Sequence, residues 1–130
     1  MFYAFRHTTK HTNGYTYPYE FDMDLAAGII HQVDVLFQDE CDHLVDVQIF
    51  HANFQLWPTN RGATFRGNAT VISFREFHEL GKGETTWTAV IDADTSIIDK
   101  DVIIQIGLLP KKIIQPLSFD ELLAAAAGVE

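Results

Sequence analysis

The chain has 130 residues, of which 47% are hydrophobic and 21% charged, a composition typical of one globular domain with its own core. Its net charge of −9 repels phosphate backbones and anionic lipid surfaces, so we expect neither a nucleic-acid partner nor a membrane partner. The only cysteine, Cys41, excludes an internal disulfide and fits a reducing compartment.

The first 14 residues combine aromatic and basic side chains, among them Arg6 and Lys10, and contain no acidic residue. They also lack the apolar stretch of a signal peptide. This segment is either an edge strand of the domain or an N-terminal arm that lies on a neighbouring copy. An arm would be dispensable for folding, whereas an edge strand would not.

Residues 15–25 alternate strictly between apolar odd-numbered positions and even-numbered positions that are polar or proline. Such alternation predicts a half-buried strand, and Pro18 places it at a sheet edge or at a bulge. The pattern leaves two interpretations of Tyr15, Tyr17 and Tyr19 open. Their rings either line the inner face of a sandwich or form an exposed row that stacks on sugars.

Two strand patterns follow. Residues 29–37 predict a strand whose odd-numbered residues, including His31, share the apolar side. Residues 44–57 predict a β-hairpin with strands at 44–50 and 54–57 and a turn between them. Pro58 has no amide donor, so it ends the returning strand.

Three further strands are predicted over residues 70–77, 85–91 and 102–109. The last of them is nearly all apolar, so we expect a central strand that is covered on both faces. Acidic loops precede two of the strands, at residues 38–43 and 92–101.

The C-terminal segment, residues 117–130, predicts one short helix and a tail. Ser118 and Glu121 match a capping box, and Leu117 and Leu122 match the hydrophobic staple that accompanies it. Gly128 is a typical helix stop. A helix of about ten residues is marginal alone in water, so it must pack on another surface.

These elements predict an all-β fold, an antiparallel β-sandwich of the jelly-roll or immunoglobulin-like kind, over residues 15–116, with the short C-terminal helix after it. We expect six or seven strands, because short strand patterns recur with turn residues between them. No helical pattern separates consecutive strands, which argues against βαβ units.

The sequence lacks the spacings of common metal sites. It has six histidines but no His-x-His pair, the arrangement that places two ligands on one side of a strand. The loop that starts at Asp92 resembles an EF-hand loop but has Ile97 and Ile103 where glycine and glutamate are required. Two alternatives remain open: a looser calcium site in the acidic loops, and a metal or enzyme site formed by His31, His51 and His78.

Catalytic motifs are also missing. Cys41 lies between Glu40 and Asp42, whose charges disfavour its thiolate. The chain has no glycine-rich phosphate loop and no nucleophile elbow. We therefore expect a protein that is not an enzyme and that uses no metal and no cofactor.

Five short segments carry a resemblance. They are Gly28-Ile-Ile-His-Gln-Val-Asp-Val, Val47-Gln-Ile-Phe, Gln55-Leu-Trp-Pro-Thr-Asn, Arg66-Gly-Asn and Ile106-Gly-Leu-Leu-Pro. Together they resemble a group of small uncharacterised β-sandwich proteins encoded in prophages and mobile elements, over most of residues 25–116. The resemblance implies a structural or assembly role, such as a virion decoration or adaptor protein.

We therefore expect a structural or assembly protein that forms a homo-oligomer, with a trimer favoured, and contacts other subunits such as a capsid lattice. Its location would be the virion if the resemblance holds, and the cytoplasm otherwise. The alternative is a carbohydrate-binding module that uses the tyrosine row. The residues expected at an interface are Phe2, Tyr3, Phe5, Arg6, Tyr15, Tyr17, Tyr19, Phe119, Leu122 and Leu123.

Overall fold

The computed structural model describes residues 1–12, 16–81 and 86–109. These residues form eight β-strands and no helix, which confirms the all-β prediction. The predicted helix and tail at residues 117–130 lie outside the described residues. The strands are β1 (Phe2–Thr8), β2 (Tyr19–Asp24), β3 (Gly28–Phe37), β4 (Val45–His51), β5 (Phe54–Trp57), β6 (Thr70–Leu80), β7 (Thr86–Ala93) and β8 (Asp101–Leu109).

The strands form two four-stranded sheets, and every neighbouring pair is antiparallel. The first sheet has the order β1-β8-β3-β6 and the second has the order β2-β7-β4-β5. The chain changes sheet at every connection except the hairpin from β4 to β5. Eight strands in this order make a jelly roll, whereas an immunoglobulin-like sandwich has a different division of strands. The predicted β-sandwich is therefore confirmed, and of its two kinds the jelly roll is present.

Alternation along each strand builds the core between the sheets. In the second sheet Met23, Val47, Ile49 and Ile91 point inward and are fully buried. In the first sheet the even-numbered residues of β8 do the same. Burying one such side chain contributes about 1.5–3 kcal/mol. The core is thus made by the positions that the period-2 pattern marks as apolar.

A β-bulge in β3 changes one prediction. The register of β3 with both of its neighbours shifts between Ile30 and Gln32. Opposite β8, β3 has one extra residue, His31, whereas opposite β6 the extra residue belongs to β6. Ile30 is fully buried in the core, while His31 lies on the outer side above Gly107. The expectation that His31 shares the apolar side with Val33 is therefore wrong, because the bulge breaks the alternation.

The strand β8 lies between β1 and β3, so its predicted central position is confirmed. Within residues 1–12, 16–81 and 86–109, the expected cover is present on its inner face only. The outward residues Ile103, Gln105 and Leu109 are only half-buried, while the inward residues are fully buried. The outer side of this strand is therefore part of a solvent-facing surface.

The N-terminal segment forms the edge strand of the first sheet. Residues 2–8 pair with β8 along their whole length, and the Met1 carbonyl accepts a hydrogen bond from the Leu108 amide at 2.6 Å. Tyr3, Phe5 and His7 point inward, opposite the buried even-numbered residues of β8. This strand brings the number of strands to eight, above the predicted six or seven.

Candidate functional site

The outer face of the first sheet carries the most exposed large apolar side chains among the described residues. Phe77 is 71% exposed, Phe2 67% and Val71 56%. Ile72 and Phe74 point inward, so the odd-numbered residues of β6 point outward. We call this surface the first-sheet face. Its outward residues include Phe2, Ala4, Arg6, Ile103, Gln105, Asp34, Leu36, Val71, Ser73, Arg75 and Phe77.

The strand register aligns these outward residues in rows. Val71, Leu36 and Ile103 are neighbours across three strands and form an apolar row beside a shallow depression of about 330 Å³. The next row is polar and contains Ser73, Asp34 and Gln105. Within it, Ser73 donates a hydrogen bond to Asp34. Apolar side chains between satisfied polar groups are typical of surfaces that bind other proteins.

Charges of both signs lie on the first-sheet face. Arg6 and Arg75 are its basic residues, and Asp34, Glu79 and Asp101 are acidic. The Arg6 guanidinium is 3.9 Å from the Asp101 carboxylate, which is a long, weak ion pair. A surface with both signs can place opposite charges across a contact with a copy of itself.

The outer face of the second sheet is acidic. The outward positions of its four strands hold no basic side chain. Asp46 and Asp92 are directly opposite each other in the register, a like-charge pair that destabilises a sheet. Arg66 relieves it, donating to Asp46 through Nη2 at 3.1 Å and also through Nε. The carboxylates of this face are Glu20, Asp22, Asp24, Asp46 and Asp92.

A third surface lies where the edge strand β1 of the first sheet meets the edge strand β2 of the second. The His7 ring stacks on Tyr19 with centroids 4.7 Å apart, and Phe21 lies 6.3 Å from the same ring. These rings fill the gap between the sheets. Beside them is an open cleft of about 360 Å³, which we call the β1–β2 cleft. It is lined by Arg6, His7, Thr8, Lys10, Tyr19 and Phe21.

His7 is only 6% exposed and holds the two edge strands together. Its Nε2 is hydrogen-bonded to the Tyr17 hydroxyl at 3.0 Å, and that hydroxyl accepts a hydrogen bond from the Lys10 amide at 3.1 Å. Burial lowers the pKa of His7 from its ordinary value of 6.5, while the charge of Asp101 acts in the opposite direction. The site therefore favours the neutral imidazole.

The stability of the protein should fall in mild acid because of His7. The unfolded chain binds a proton near pH 6.5, but the folded chain resists it, so the stability from neutral His7 is complete above that pH. This contribution to stability is lost as the pH falls from about 6.5 through the lower pKa that His7 has in the folded chain. Urea unfolding at about pH 7.5 and about pH 5 should show a smaller acid loss in His7→Gln than in the wild type. Equal losses in the two proteins would contradict this role.

The structure divides the residues that were predicted for an interface. Phe2 and Arg6 lie on the first-sheet face, and Tyr3 and Phe5 point inward and pack against the core. Tyr17 and Tyr19 face the His7 ring. They therefore do not stand as the open, flat row that the sugar-stacking interpretation required. Tyr15, Phe119, Leu122 and Leu123 lie outside the described residues.

Sequence reasoning missed the two strongest features of these surfaces. Phe77 is the most exposed large apolar residue described, and its odd position in β6 was a signal for an outward side chain. The role of His7 depends on contacts with Tyr17 and Tyr19, which lie ten or more residues away along the chain. No local pattern could predict that pairing.

The remaining histidines do not converge. His51 and His78 lie near Trp87 inside the sandwich, with ring centroids 5.7 Å and 5.3 Å from it, whereas His31 lies outside. Over residues 1–12, 16–81 and 86–109, no group of three His, Cys, Asp or Glu side chains is arranged to hold a metal ion. The hypothesis of a site formed by His31, His51 and His78 therefore has no geometric support.

Cys41 is fully buried. Burial is the main cause that raises the pKa of its thiol, and the negative charge of Asp42 adds to it. The thiol is thus a poor nucleophile, as the sequence indicates, but desolvation matters more than the acidic neighbours on which that prediction was based.

The part of the chain that the structure describes contains no helix long and apolar enough to cross a membrane. Comparison of the chain with protein-family models, with curated protein sequences and with solved structures returned no match. The function must therefore be argued from the three surfaces themselves.

Proposed function

We propose that the protein is a non-enzymatic structural subunit that self-associates through the first-sheet face, as a component that decorates a virion or joins a capsid lattice. The observation that carries the proposal is the exposure of Phe77, Phe2 and Val71 on one sheet face. Large apolar side chains that share an exposed face favour association, because their burial releases them from water.

Charge favours a second copy as the partner of this face. The first-sheet face has basic and acidic residues, so two copies can place Arg75 or Arg6 opposite Asp34 or Asp101. The acidic face of the second sheet has five outward carboxylates and would repel its own copy. Self-association is therefore supported at the first sheet and disfavoured at the second.

The size of the first-sheet face is adequate for a stable contact. Four strands about 4.8 Å apart and about seven residues long span roughly 20 Å by 25 Å, or roughly 500 Å² in projection. Standard interfaces bury about 800 Å² of accessible surface per partner, which is of the same order once side-chain relief is included. A contact between this face and the same face of a second copy closes as a two-fold dimer, whereas the trimer favoured from the sequence would require this face to meet a different surface of its neighbour.

The virion role rests on the resemblance of residues 25–116 to prophage-encoded proteins and on the jelly roll. Capsid and lectin domains share this architecture, so the support from the fold is an analogy. The self-association part of the proposal stands on the exposed face alone and is tested separately.

The test is the absolute mass in solution, measured by light scattering after size exclusion over a range of concentrations. We expect a stable multiple of the chain mass, and we expect Phe77→Ser combined with Val71→Ser to shift it towards the monomer. Removing two large apolar side chains from a contact typically costs about 2 kcal/mol or more of binding, about a thirtyfold loss of affinity. A wild-type protein that is monomeric at every concentration would overturn the proposal.

A matched control is Phe54→Ser. Phe54 is 54% exposed but belongs to β5, at the edge of the second sheet. The Phe54→Ser substitution removes a comparable apolar surface and leaves the first-sheet face unchanged, so the oligomer should persist. Loss of the oligomer in this variant, with retention in the Phe77 variant, would place the contact on the other sheet.

A further inference from the structure

We infer that two copies of the chain pair through the free edge of β6, antiparallel about a two-fold axis at Phe77, so that their four-stranded first sheets join into one continuous sheet. β6 ends the order β1-β8-β3-β6, and its second side faces no other strand among residues 1–12, 16–81 and 86–109. We call residues 74–80 of this strand the β6 edge. The contact lies beside the sheet, so the inference is independent of association through the first-sheet face.

The strand β6 lacks features that commonly protect a sheet edge. Natural edge strands are often short, or they carry lysine or proline, which discourages pairing with another chain. The edge strand β5 of the second sheet has 4 residues, whereas β6 is the longest strand with 11 residues. Residues 70–80 contain neither lysine nor proline. The backbone donors and acceptors on the free side of β6 can therefore accept an added strand.

The register shift between β3 and β6 leaves the alternation of side chains along the β6 edge intact. The inward residues belong to the core, pack against it or contact the Trp87 ring, and they are Phe74, His78 and Leu80. The outward residues between them are exposed, and they are Arg75, Phe77 and Glu79. No residue of β6 has a positive φ. This alternation suits a partner strand, because directly opposite residues of an antiparallel pair point to the same side.

An axis at Phe77 makes the β6 edge complementary to itself. The opposite pairs are then Phe74 with Leu80, Arg75 with Glu79, Glu76 with His78, and Phe77 with Phe77 of the partner subunit. Opposite charges, apolar side chains and aromatic rings that face each other across two strands each stabilise a sheet. The same axis covers Phe77, which is 71% exposed in the single chain.

Neighbouring registers lack this complementarity. The axis must lie at a residue, because outward side chains meet outward side chains. An axis at Glu76 places two glutamates opposite each other, and an axis at Arg75 places two arginines opposite each other. Like charges directly opposite destabilise a sheet. An axis at His78 sets Phe77 against Glu79. The charge pattern of β6 therefore selects the register at Phe77.

The pair of Arg75 and Glu79 needs neither group to lack other partners. Glu79 also interacts within its own chain. A carboxylate has several lone pairs and a guanidinium has several donors, so each can join a further partner. Both side chains are exposed, so their pairing determines the register more than the affinity. The affinity comes from the backbone hydrogen bonds between the strands and from the burial of Phe77.

Charge reversal tests the register. Arg75→Glu places two like-charged pairs in the contact, and we expect the dissociation constant to rise at least about tenfold, measured by light scattering over a range of concentrations. Adding Glu79→Arg restores opposite charges across the axis and should return the constant to within about threefold of the wild type. Arg61→Glu is the matched control, because it reverses the same charge in the loop after β5 and should leave the mass unchanged. A monomeric wild type, or no recovery in the double variant, would overturn the inference.

Hydrogen exchange separates the edge contact from a face contact. Strand pairing engages backbone amides, whereas a contact through the first-sheet face joins side chains. At one protein concentration, amides of residues 74–80 should exchange at least about tenfold more slowly in the wild type than in Arg75→Glu, and those of β1 should exchange equally. Equal exchange at residues 74–80 in the two proteins would refute the edge contact.

Val71→Ser shows which of the two contacts holds the copies together. Val71 belongs to the apolar row of the first-sheet face and lies outside the paired residues 74–80. The edge dimer should therefore persist in this variant. If Val71→Ser dissociates the assembly and Arg75→Glu does not, the face contact stands and the edge contact is refuted. The opposite result, with recovery in the double variant, supports the edge contact and counts against the face contact.

Discussion

Replacing Trp87 by alanine is expected to lower the free energy of unfolding by about 3–5 kcal/mol, measured by urea unfolding followed by circular dichroism. Trp87 is fully buried, and the Trp57 and His78 rings each lie 5.3 Å from it. The substitution leaves a large cavity that the surrounding β-sandwich cannot fill. Small domains have a total stability of about 5–15 kcal/mol, so the variant should lie close to unfolding.

The matched control is Thr88→Ala, at the next position of the same strand. Thr88 points outward, opposite Asp22 in the register, and is half-buried. Its replacement should change stability by less than about 1 kcal/mol. Similar losses in the two variants would mean that Trp87 is not a centre of the core and that the inward face of β7 is assigned wrongly.

The sandwich could be predicted from the sequence because its strands are defined by local signals. The hairpin at residues 44–57 is the clearest case: alternation marks β4 and β5, and Pro58 follows directly after the second strand. The inward side of β8 could also be predicted, since every even-numbered position from 102 to 108 is aliphatic, and these residues are buried. These features need no knowledge of distant contacts.

Other features depend on the partners of a strand. The bulge after Ile30 exists because β6 and β8 both pair with β3 in a shifted register, and it moves His31 to the outer side. Periodicity within β3 alone predicts an unbroken alternation. A single extra residue therefore reversed the orientation of a candidate ligand, although the strand itself was predicted correctly.

The candidate surfaces were harder to predict than the fold. Whether the face with Tyr17 and Tyr19 is buried depends on β1, which lies opposite it and supplies His7. The first-sheet face depends on four strands that are far apart in sequence, from Phe2 to Ile103. The alternation in β6 indicates that Phe77 points outward, but tertiary packing decides how much of an outward side chain remains exposed.

Deleting residues 1–8 is expected to abolish cooperative folding, measured by the soluble yield and by thermal unfolding. The deletion removes β1 and with it the inward rings of Tyr3, Phe5 and His7. Burial of large side chains contributes about 1.5–3 kcal/mol each when complete, so even partial burial of three rings is a large share of the total stability. The deletion also leaves the apolar strand β8 as an unpaired edge, which promotes aggregation.

The control keeps the strand and changes only its outer side. Phe2→Ser combined with Arg6→Gln alters two outward side chains of β1 without touching its inward rings. This variant should fold with a stability within about 1 kcal/mol of the wild type. If the truncated chain instead unfolds cooperatively at the wild-type midpoint, the segment is an arm and its pairing with β8 is not required. If deletion of residues 1–8 abolishes assembly, the cause can be either unfolding or a lost contact. If Phe2→Ser combined with Arg6→Gln abolishes assembly, the cause is a lost contact on the first-sheet face, because this variant remains folded.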